Sequence, residues 1–147
     1  MSNQMLAFLP IHNRAQMTVQ FISRFRDILD SQINLTVFLL DAGSTDCVFE
    51  KVQQLDADIK FIQLDNSYFW GKSLNKILEI VKNESVPNDC LVGIFNNDTL
   101  QFERTLQRGI ELLDRYDVMA PLSLELDHRF KSPVETQKTV SFKDLIS

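Results

Sequence analysis

The stretch GIFNNDT, from Gly93 to Thr99, ends an apolar run with two amides and one carboxylate. Asn96 and Asp98 are two residues apart, so in an extended chain their side chains point to the same side. Carboxylate and amide oxygens suit a hard divalent cation such as Mg²⁺ or Mn²⁺. A single carboxylate is adequate for such an ion when the phosphates of a ligand share it. The alternative is an Asn-Asp turn in which Asp98 or Thr99 caps the next helix.

A second polar cluster, DAGSTD, follows the apolar run LTVFLL. Asp41, at its start, is suited to accept hydrogen bonds from a nucleobase N–H group or from ribose hydroxyls. Gly43 allows a turn, and Ser44, Thr45 and Asp46 are good N-cap residues for the following helix. A turn without any ligand explains the last four of these residues well, but it explains Asp41 less well.

These clusters must be positioned by the short apolar runs and amphipathic stretches that alternate along the chain. The apolar runs predict four strands, at Met5–Pro10, Leu35–Leu40, Ile59–Leu64 and Cys90–Phe95, and a fifth at residues 117–122. Apolar residues at helical spacing predict helices between the strands. The four helical patterns are Val19 to Leu29, Val48 to Leu55, Leu74 to Val81, and Phe102 to Leu113.

Strands that are apolar on both faces and are joined by helices predict a mostly parallel sheet. We therefore expect a three-layer α/β/α sandwich. Ligands of such folds bind beyond the carboxyl ends of the strands. The informative segments are the four that follow a strand, which read PIHNR, DAGSTD, DNSYFW and NNDT.

Length and composition are those of one globular domain. The 147 residues are enough to bury a core without disulfides. The formal net charge of −5 argues against nucleic acid or an anionic membrane as the main partner. Cys47 and Cys90 lack metal-binding or redox spacing, so we expect reduced thiols. We find no signal peptide and no transmembrane segment, and we expect a cytoplasmic protein.

The four post-strand segments stand in an order that resembles the nucleotide-sugar half of family-2 glycosyltransferases, which have the GT-A fold. The quoted motifs are LPIHNR, FLLDAGSTD, LDNSYFWGKSLNKI and GIFNNDT, and the resemblance covers about Leu6 to Pro121. Each motif is weakly specific, but four in the family's order and spacing are a strong signal. NNDT is similar to a variant of the family's DxD motif in rhamnosyltransferase-like members.

The resemblance implies a donor site made of the first two loops. Pro10, Ile11 and His12 fall where the family's first loop touches the nucleotide. Asp41 matches the acid that contacts the base, and Gly43 belongs to the same motif. From the residues alone, His12 is more simply a loop residue that hydrogen-bonds to backbone.

The resemblance also implies roles for the segment that follows the third strand. Asn66, Trp70 and Gly71 fall in the part that packs over the sugar-nucleotide, and Lys72 is placed to face the diphosphate. Trp70, the only tryptophan, is more simply a packing residue than a sugar platform. Arg14, in the first loop, has two equal interpretations, which are a phosphate contact and a cap of the first turn.

The metal site follows from the DxD-like motif. Asp98 matches the last acid of DxD and should hold Mg²⁺ or Mn²⁺ together with the donor, while Asn96 and Asn97 match the first two positions. The sequence departs from the family here, because Asn96 replaces an acid that would bind the ion more strongly. Ala42 likewise replaces the second acid of the family's D-D-G-S motif.

The implied reaction transfers a sugar, with inversion, from a nucleotide-diphosphate donor to the hydroxyl of a sugar or glycoconjugate acceptor. We expect residues 1–123 to form the donor-binding core, and residues 124–147 to begin an acceptor-binding part that is otherwise missing. Only 49 residues follow Asp98, and they offer no convincing general base. Asp127 and His128 are the nearest candidates, but such a loop pair is more often solvated surface.

Other strand-helix repeats lack their defining residues here. A receiver domain needs an acidic pair after the first strand, and PIHNR has none. A haloacid-dehalogenase-type phosphatase needs an aspartate nucleophile where Asn96 stands, and a dinucleotide-binding fold needs a glycine-rich first loop. The remaining alternative is a non-catalytic or incomplete domain that retains the sugar-nucleotide site.

Overall fold

A computed structural model of the chain describes residues 4–55, 57–83, 86–87, 89–98 and 103–113. Strands and helices alternate through these ranges, as the sequence predicts. The fifth predicted strand and the segment 124–147 lie outside the described residues. The elements are β1 (Gln4–Ile11), α1 (Ala15–Ile28), β2 (Asn34–Asp41), α2 (Val48–Val52), β3 (Asp58–Gln63), α3 (Trp70–Asn83), β4 (Leu91–Ile94) and α4 (Glu103–Leu112).

The described strands form one parallel sheet in the order β3-β2-β1-β4. Ile11, the last residue of β1, is opposite Asp41, the last residue of β2. Asp41 is in turn opposite Gln63 of β3. The predicted α/β class and parallel sheet are therefore confirmed. β1, β2 and β3 end together at one edge, whereas Ile94, the last residue of β4, is opposite Phe8 of β1.

Helices cover both faces of this sheet. On one face Ile77 and Ile80 of α3 pack on a buried cluster from the two central strands, which is Leu6, Phe8, Phe38 and Leu40. On the other face the rings of Phe21 and Phe25 in α1 contact the ring of Phe95, with centroids 5.9 and 4.8 Å apart. The three-layer arrangement follows from this packing.

The prediction that every strand is apolar on both faces is correct for β1 and β2 only. In β3, which pairs on one side only within the described sheet, every residue is exposed or half-buried and none is buried. In β4, Val92 and Ile94 are 42 % and 44 % exposed. The strand ends at Ile94, one residue before the predicted end, although the Phe95 N–H still donates to the Phe8 carbonyl over 2.9 Å.

α4 belongs to a separate compact unit, which comprises residues 102–147. Within it, Arg108 and Glu111 form an exposed ion pair of 2.8 Å. Both cysteines are free thiols, as expected, and burial raises the pKa of the Cys90 thiol. None of the helices in the described ranges has the length and apolar character needed to cross a membrane.

Candidate functional site

The carboxyl ends of β2, β1 and β4 lie side by side, and backbone hydrogen bonds tie the loops that leave them. The Ala42 N–H donates to the Ile11 carbonyl over 2.9 Å, which joins the chain after β2 to the end of β1. The Phe95 N–H, just after β4, donates to the Phe8 carbonyl of β1 over 2.9 Å. The first, second and fourth polar segments therefore start from adjacent positions along one edge, where parallel sheets bind ligands.

Asp41 is a buried carboxylate at the centre of this edge. It is 3 % exposed, and its Oδ1 accepts from the Ser44 N–H over 3.0 Å and from the Ser44 hydroxyl. Within the described residues, no hydrogen bond is made to Oδ2. One carboxylate oxygen is thus fixed by the turn, and the other has accepting capacity left for a ligand.

The loop after β3 approaches the same turn. Gly43 has φ +76°, in the left-handed region that favours glycine, and a Cβ built on it would stand 3.5 Å from Cβ of Asn66. The structure therefore brings together Gly43 and Asn66, two of the residues assigned to the donor site from the sequence. Both are accessible enough for a ligand, since Gly43 is half-buried and Asn66 is exposed.

The predicted capping of α2 by Ser44, Thr45 or Asp46 is wrong. The N-cap residue of α2 is Cys47, with φ 57° and no side-chain cap hydrogen bond. Asp46 instead accepts from the Ala15 N–H over 2.6 Å, at the beginning of α1. Ser44 Oγ likewise accepts from the Asn13 N–H over 2.6 Å. These polar residues therefore join the β2 loop to the β1 loop rather than starting their own helix.

Replacement of Asp46 by alanine is expected to lower the free energy of unfolding by about 0.5–2 kcal/mol, the usual cost of losing a helix cap. The reason is that α1 would lose the acceptor for its first N–H. Asp46→Asn, which retains an acceptor oxygen, should lose less stability. Urea unfolding followed by circular dichroism measures both, and equal stability of Asp46→Ala and wild type would contradict the cross-loop cap.

In the first loop, His12 is exposed and Pro10 is half-buried. Ile11 is 4 % exposed, which leaves little of its side chain or main chain accessible to a ligand. The Nδ1 of His12 lies 2.8 Å from the Ala42 carbonyl. Because a carbonyl only accepts, Nδ1 carries the hydrogen of this bond. The interpretation of His12 as a loop residue bonded to backbone is confirmed.

The NNDT segment does not continue as the extended chain that was expected. Residues 97 and 98 form a turn, and the Asn97 amide donates to the Thr18 hydroxyl of α1 over 2.9 Å. Asn96 and Asp98 are both exposed. The turn of that alternative is therefore present at residues 97 and 98, while Thr99 lies outside the described residues.

Asp98 is paired with Arg14 of the first loop. The Arg14 Nη1 donates to the Asp98 Oδ2 over 2.7 Å. Arg14 is the N-cap residue of α1, as one of its two interpretations predicts, and it caps through its carbonyl rather than its side chain. In the part of the chain that the structure describes, no three His, Cys, Asp or Glu side chains cluster so that they could hold a metal ion by themselves.

The start of α3 is exposed. Trp70 is 48 % exposed at the beginning of α3, which excludes it from the core and contradicts the packing interpretation. Lys72 donates to the Ser67 hydroxyl over 2.9 Å and lies 5.6 Å from the Tyr68 ring centroid. Lys72 is thus held against its own loop. Gly71 is exposed, with no atom within 4 Å of an added Cβ.

Hydrogen bonds also order the loop that carries these residues. The Asp65 carboxylate accepts from the Ser67 N–H over 2.8 Å. Hydrogen bonding by the Ser67 side chain and backbone lowers the pKa of Asp65. The ionised Asp65 therefore fixes the loop by holding Ser67, the residue that accepts a hydrogen bond from Lys72.

The sequence did not predict the contacts that Arg14, Thr18 and Asp46 make with residues distant in the chain. The missing information is the strand order, since β1 neighbours both β2 and β4. Given that order, the residues just after β1 are expected to touch those just after the other two strands. No pattern within a single motif indicates these contacts.

Comparison with known proteins finds a family model that matches the chain. The family model described as glycosyl transferase family 2 matches residues 7–127, which is most of the chain. The matched range starts within β1 and includes all four of the polar segments that follow strands. No curated protein matches the chain.

Proposed function

Because this chain belongs to glycosyl transferase family 2, we propose that the edge formed by the β2, β1 and β4 ends is its site for a nucleotide-diphosphate sugar. Membership supports a glycosyltransferase that uses nucleotide-sugar donors and an acceptor. The observation that carries the site is Asp41, a buried carboxylate with one oxygen fixed by Ser44 and one left to accept. Such a group suits the N–H of a base or the hydroxyls of ribose.

The nucleoside part of the donor is proposed to lie across the β1 and β2 loops. Asp41 would accept from the base or the ribose, while the backbone at Pro10, Ile11 and His12 would flank it. Gly43 and Asn66, which adjoin each other, would close the far side. In this arrangement a ligand meets mainly backbone and polar groups, which gives it orientation rather than apolar burial.

The diphosphate is proposed to lie toward β4, with Mg²⁺ or Mn²⁺ shared between it, Asp98 and Asn96. These two side chains fit an ion that is shared with a diphosphate, because both are exposed, both carry oxygen ligands, and one residue separates them in the sequence. It does not fit an ion bound by protein alone, because there is one carboxylate and it is paired with Arg14. A bound divalent ion would stabilise negative charge on the leaving diphosphate.

The segment at the start of α3, where Trp70, Gly71 and Lys72 are exposed, is proposed to pack over the sugar-nucleotide. Exposed aromatic rings at such a position suit the apolar face of a sugar ring. Asn97, bonded to Thr18, is proposed to hold the backbone of its turn rather than the ligand. Lys72 is proposed to exchange its hydrogen bond to the Ser67 hydroxyl for one to a phosphate oxygen of the donor.

The reaction is proposed as hexosyl transfer, with inversion, to an acceptor hydroxyl in the synthesis of cell-surface polysaccharide or glycoconjugate. A rhamnosyltransferase-like donor preference is suggested by the NNDT variant of the motif. The two free thiols support a cytoplasmic location. A general base must deprotonate the acceptor, and we assign none among the described residues.

The function is tested by incubating the chain with UDP-, dTDP- and GDP-sugars and Mn²⁺, with a panel of sugar acceptors. Release of the nucleoside diphosphate, with an inverted glycoside in the product, is expected. Release of a nucleoside monophosphate would instead show cleavage within the diphosphate and would contradict glycosyl transfer. Donor binding without any release would favour the non-catalytic alternative.

A further inference from the structure

The ion pair between Arg14 and Asp98 joins the loop after β1 to the turn after β4. The two residues are 84 positions apart in the chain, so only the fold brings them together. The Arg14 side chain is 54 % exposed and the Asp98 side chain 43 %. The charged groups are therefore bonded to each other and also accessible to a ligand from solvent.

The backbones under both partners are fixed, although their charged groups are exposed. Arg14 has φ 62°, outside the regions that most residues adopt. The Thr18 N–H donates to the Arg14 carbonyl over 3.0 Å, and the Thr18 hydroxyl accepts from Asn97, the neighbour of Asp98. One residue of α1 thus holds the backbone of Arg14 and the side chain of the residue before Asp98, and the side chain of Arg14 is the part able to move.

We propose that Arg14 exchanges partners during donor binding, from Asp98 in the donor-free protein to the diphosphate of the nucleotide. While Arg14 holds Asp98, the carboxylate that would face a divalent ion is neutralised and one of its oxygens is occupied. A diphosphate offers the guanidinium more negative charge and a geometry that it binds with paired hydrogen bonds. Donor and metal would then bind together, and the metal alone would bind poorly.

This inference rests on the proposed function for the identity of the ligand, but its first step concerns the protein and the metal only. An exposed ion pair contributes little to stability, so a diphosphate can displace Asp98 at low cost. The same pair still competes with a cation for the Asp98 oxygen, and the guanidinium repels the cation. Removing Arg14 should therefore help the metal and harm the nucleotide, which are opposite effects.

The first test measures Mn²⁺ binding to nucleotide-free protein from the loss of the free-ion signal in electron paramagnetic resonance. Arg14→Gln is expected to bind Mn²⁺ about three- to tenfold more tightly than wild type, because a competing and repelling charge is gone. Arg26→Gln is the matched control. It removes the same charge from the last turn of the same helix, about 18 Å along the axis from Arg14, and should leave the affinity unchanged.

Repeating the Arg14→Gln measurement in an Asp98→Asn protein shows whether the gain in Mn²⁺ affinity depends on the ion pair. In a double-mutant cycle, Arg14→Gln should give a clearly smaller gain in Mn²⁺ affinity once Asp98 is neutral, because only the repulsion is then removed. An equal gain in both backgrounds would overturn the proposed exchange, as would wild type and Arg14→Gln binding Mn²⁺ equally well.

The second test measures UDP, dTDP and GDP binding with Mn²⁺ present. Arg14→Gln should weaken the preferred nucleotide about five- to tenfold, since an arginine–phosphate contact is lost. Unchanged affinity would overturn the exchange. If Arg14→Gln does not fold, Arg14→Lys replaces it, with wild-type Mn²⁺ affinity and weaker nucleotide binding expected. If wild type binds no nucleotide, the proposed function fails, and the Mn²⁺ cycle still judges the ion pair.

Discussion

Asp41→Ala is expected to weaken binding of the preferred nucleotide about 10- to 100-fold, because hydrogen bonds to a charged group contribute about 1.5–3 kcal/mol. Asp41 is the buried acid of the site, and its Oδ1 is already held by Ser44. A ligand that bonds to the other oxygen meets a carboxylate that is preorganised. Isothermal calorimetry measures the change.

The control for Asp41 must loosen the same turn without removing the acid. Ser44→Ala does so, because it removes the hydroxyl that donates to Asp41 and accepts from Asn13. It should lower the free energy of unfolding but leave nucleotide affinity within a few-fold of wild type. If Ser44→Ala and Asp41→Ala weaken binding equally, Asp41 acts through the turn and does not contact the nucleotide.

Gly93→Ala is expected to lower the free energy of unfolding by about 1–3 kcal/mol, the usual cost of overpacking a core. An added Cβ would stand 2.6 Å from Cζ of Phe95 and 3.0 Å from Cε of Met5. The Phe95 ring is confined, since Phe21 and Phe25 contact it from α1. The new methyl group therefore cannot be accommodated by a simple side-chain rotation.

Gly71→Ala is the matched control, because nothing lies within 4 Å of a Cβ added there. In the first turn of α3 it should be neutral or stabilise the fold by up to about 1 kcal/mol, since alanine restricts the unfolded chain. Urea unfolding compares the two variants. A Gly93→Ala protein that unfolds at the wild-type urea concentration would contradict the packing described for Phe95.

The elements of the fold could be predicted because their signals are local. The runs MLAFLP and LTVFLL are apolar throughout, and they form the two central strands, β1 and β2, buried on both faces. The pattern from Leu74 to Val81 has helical spacing, and α3 places Ile77 in the core. Each of these signals lies within one segment, so each element can be predicted without knowing which elements pack beside it.

The contacts between loops could not be predicted, because they depend on which strands are neighbours. Asp46 is expected from the sequence to cap α2, the helix that follows it, but its carboxylate accepts from the first N–H of α1. Asp98 was expected in extended chain beside Asn96, but the chain turns and Arg14 reaches it. Carboxylates bond to the nearest available donors, and these are set by the strand order β3-β2-β1-β4.

The most direct test of the donor site is a calorimetric titration of UDP, dTDP and GDP into the chain, with and without Mn²⁺, repeated on Asp98→Ala. The proposal predicts that one nucleotide binds, that Mn²⁺ tightens its binding, and that Asp98→Ala loses this stimulation by the metal. The proposal would be contradicted if a folded wild-type chain bound none of the three nucleotides, or if Mn²⁺ stimulated wild type and Asp98→Ala equally.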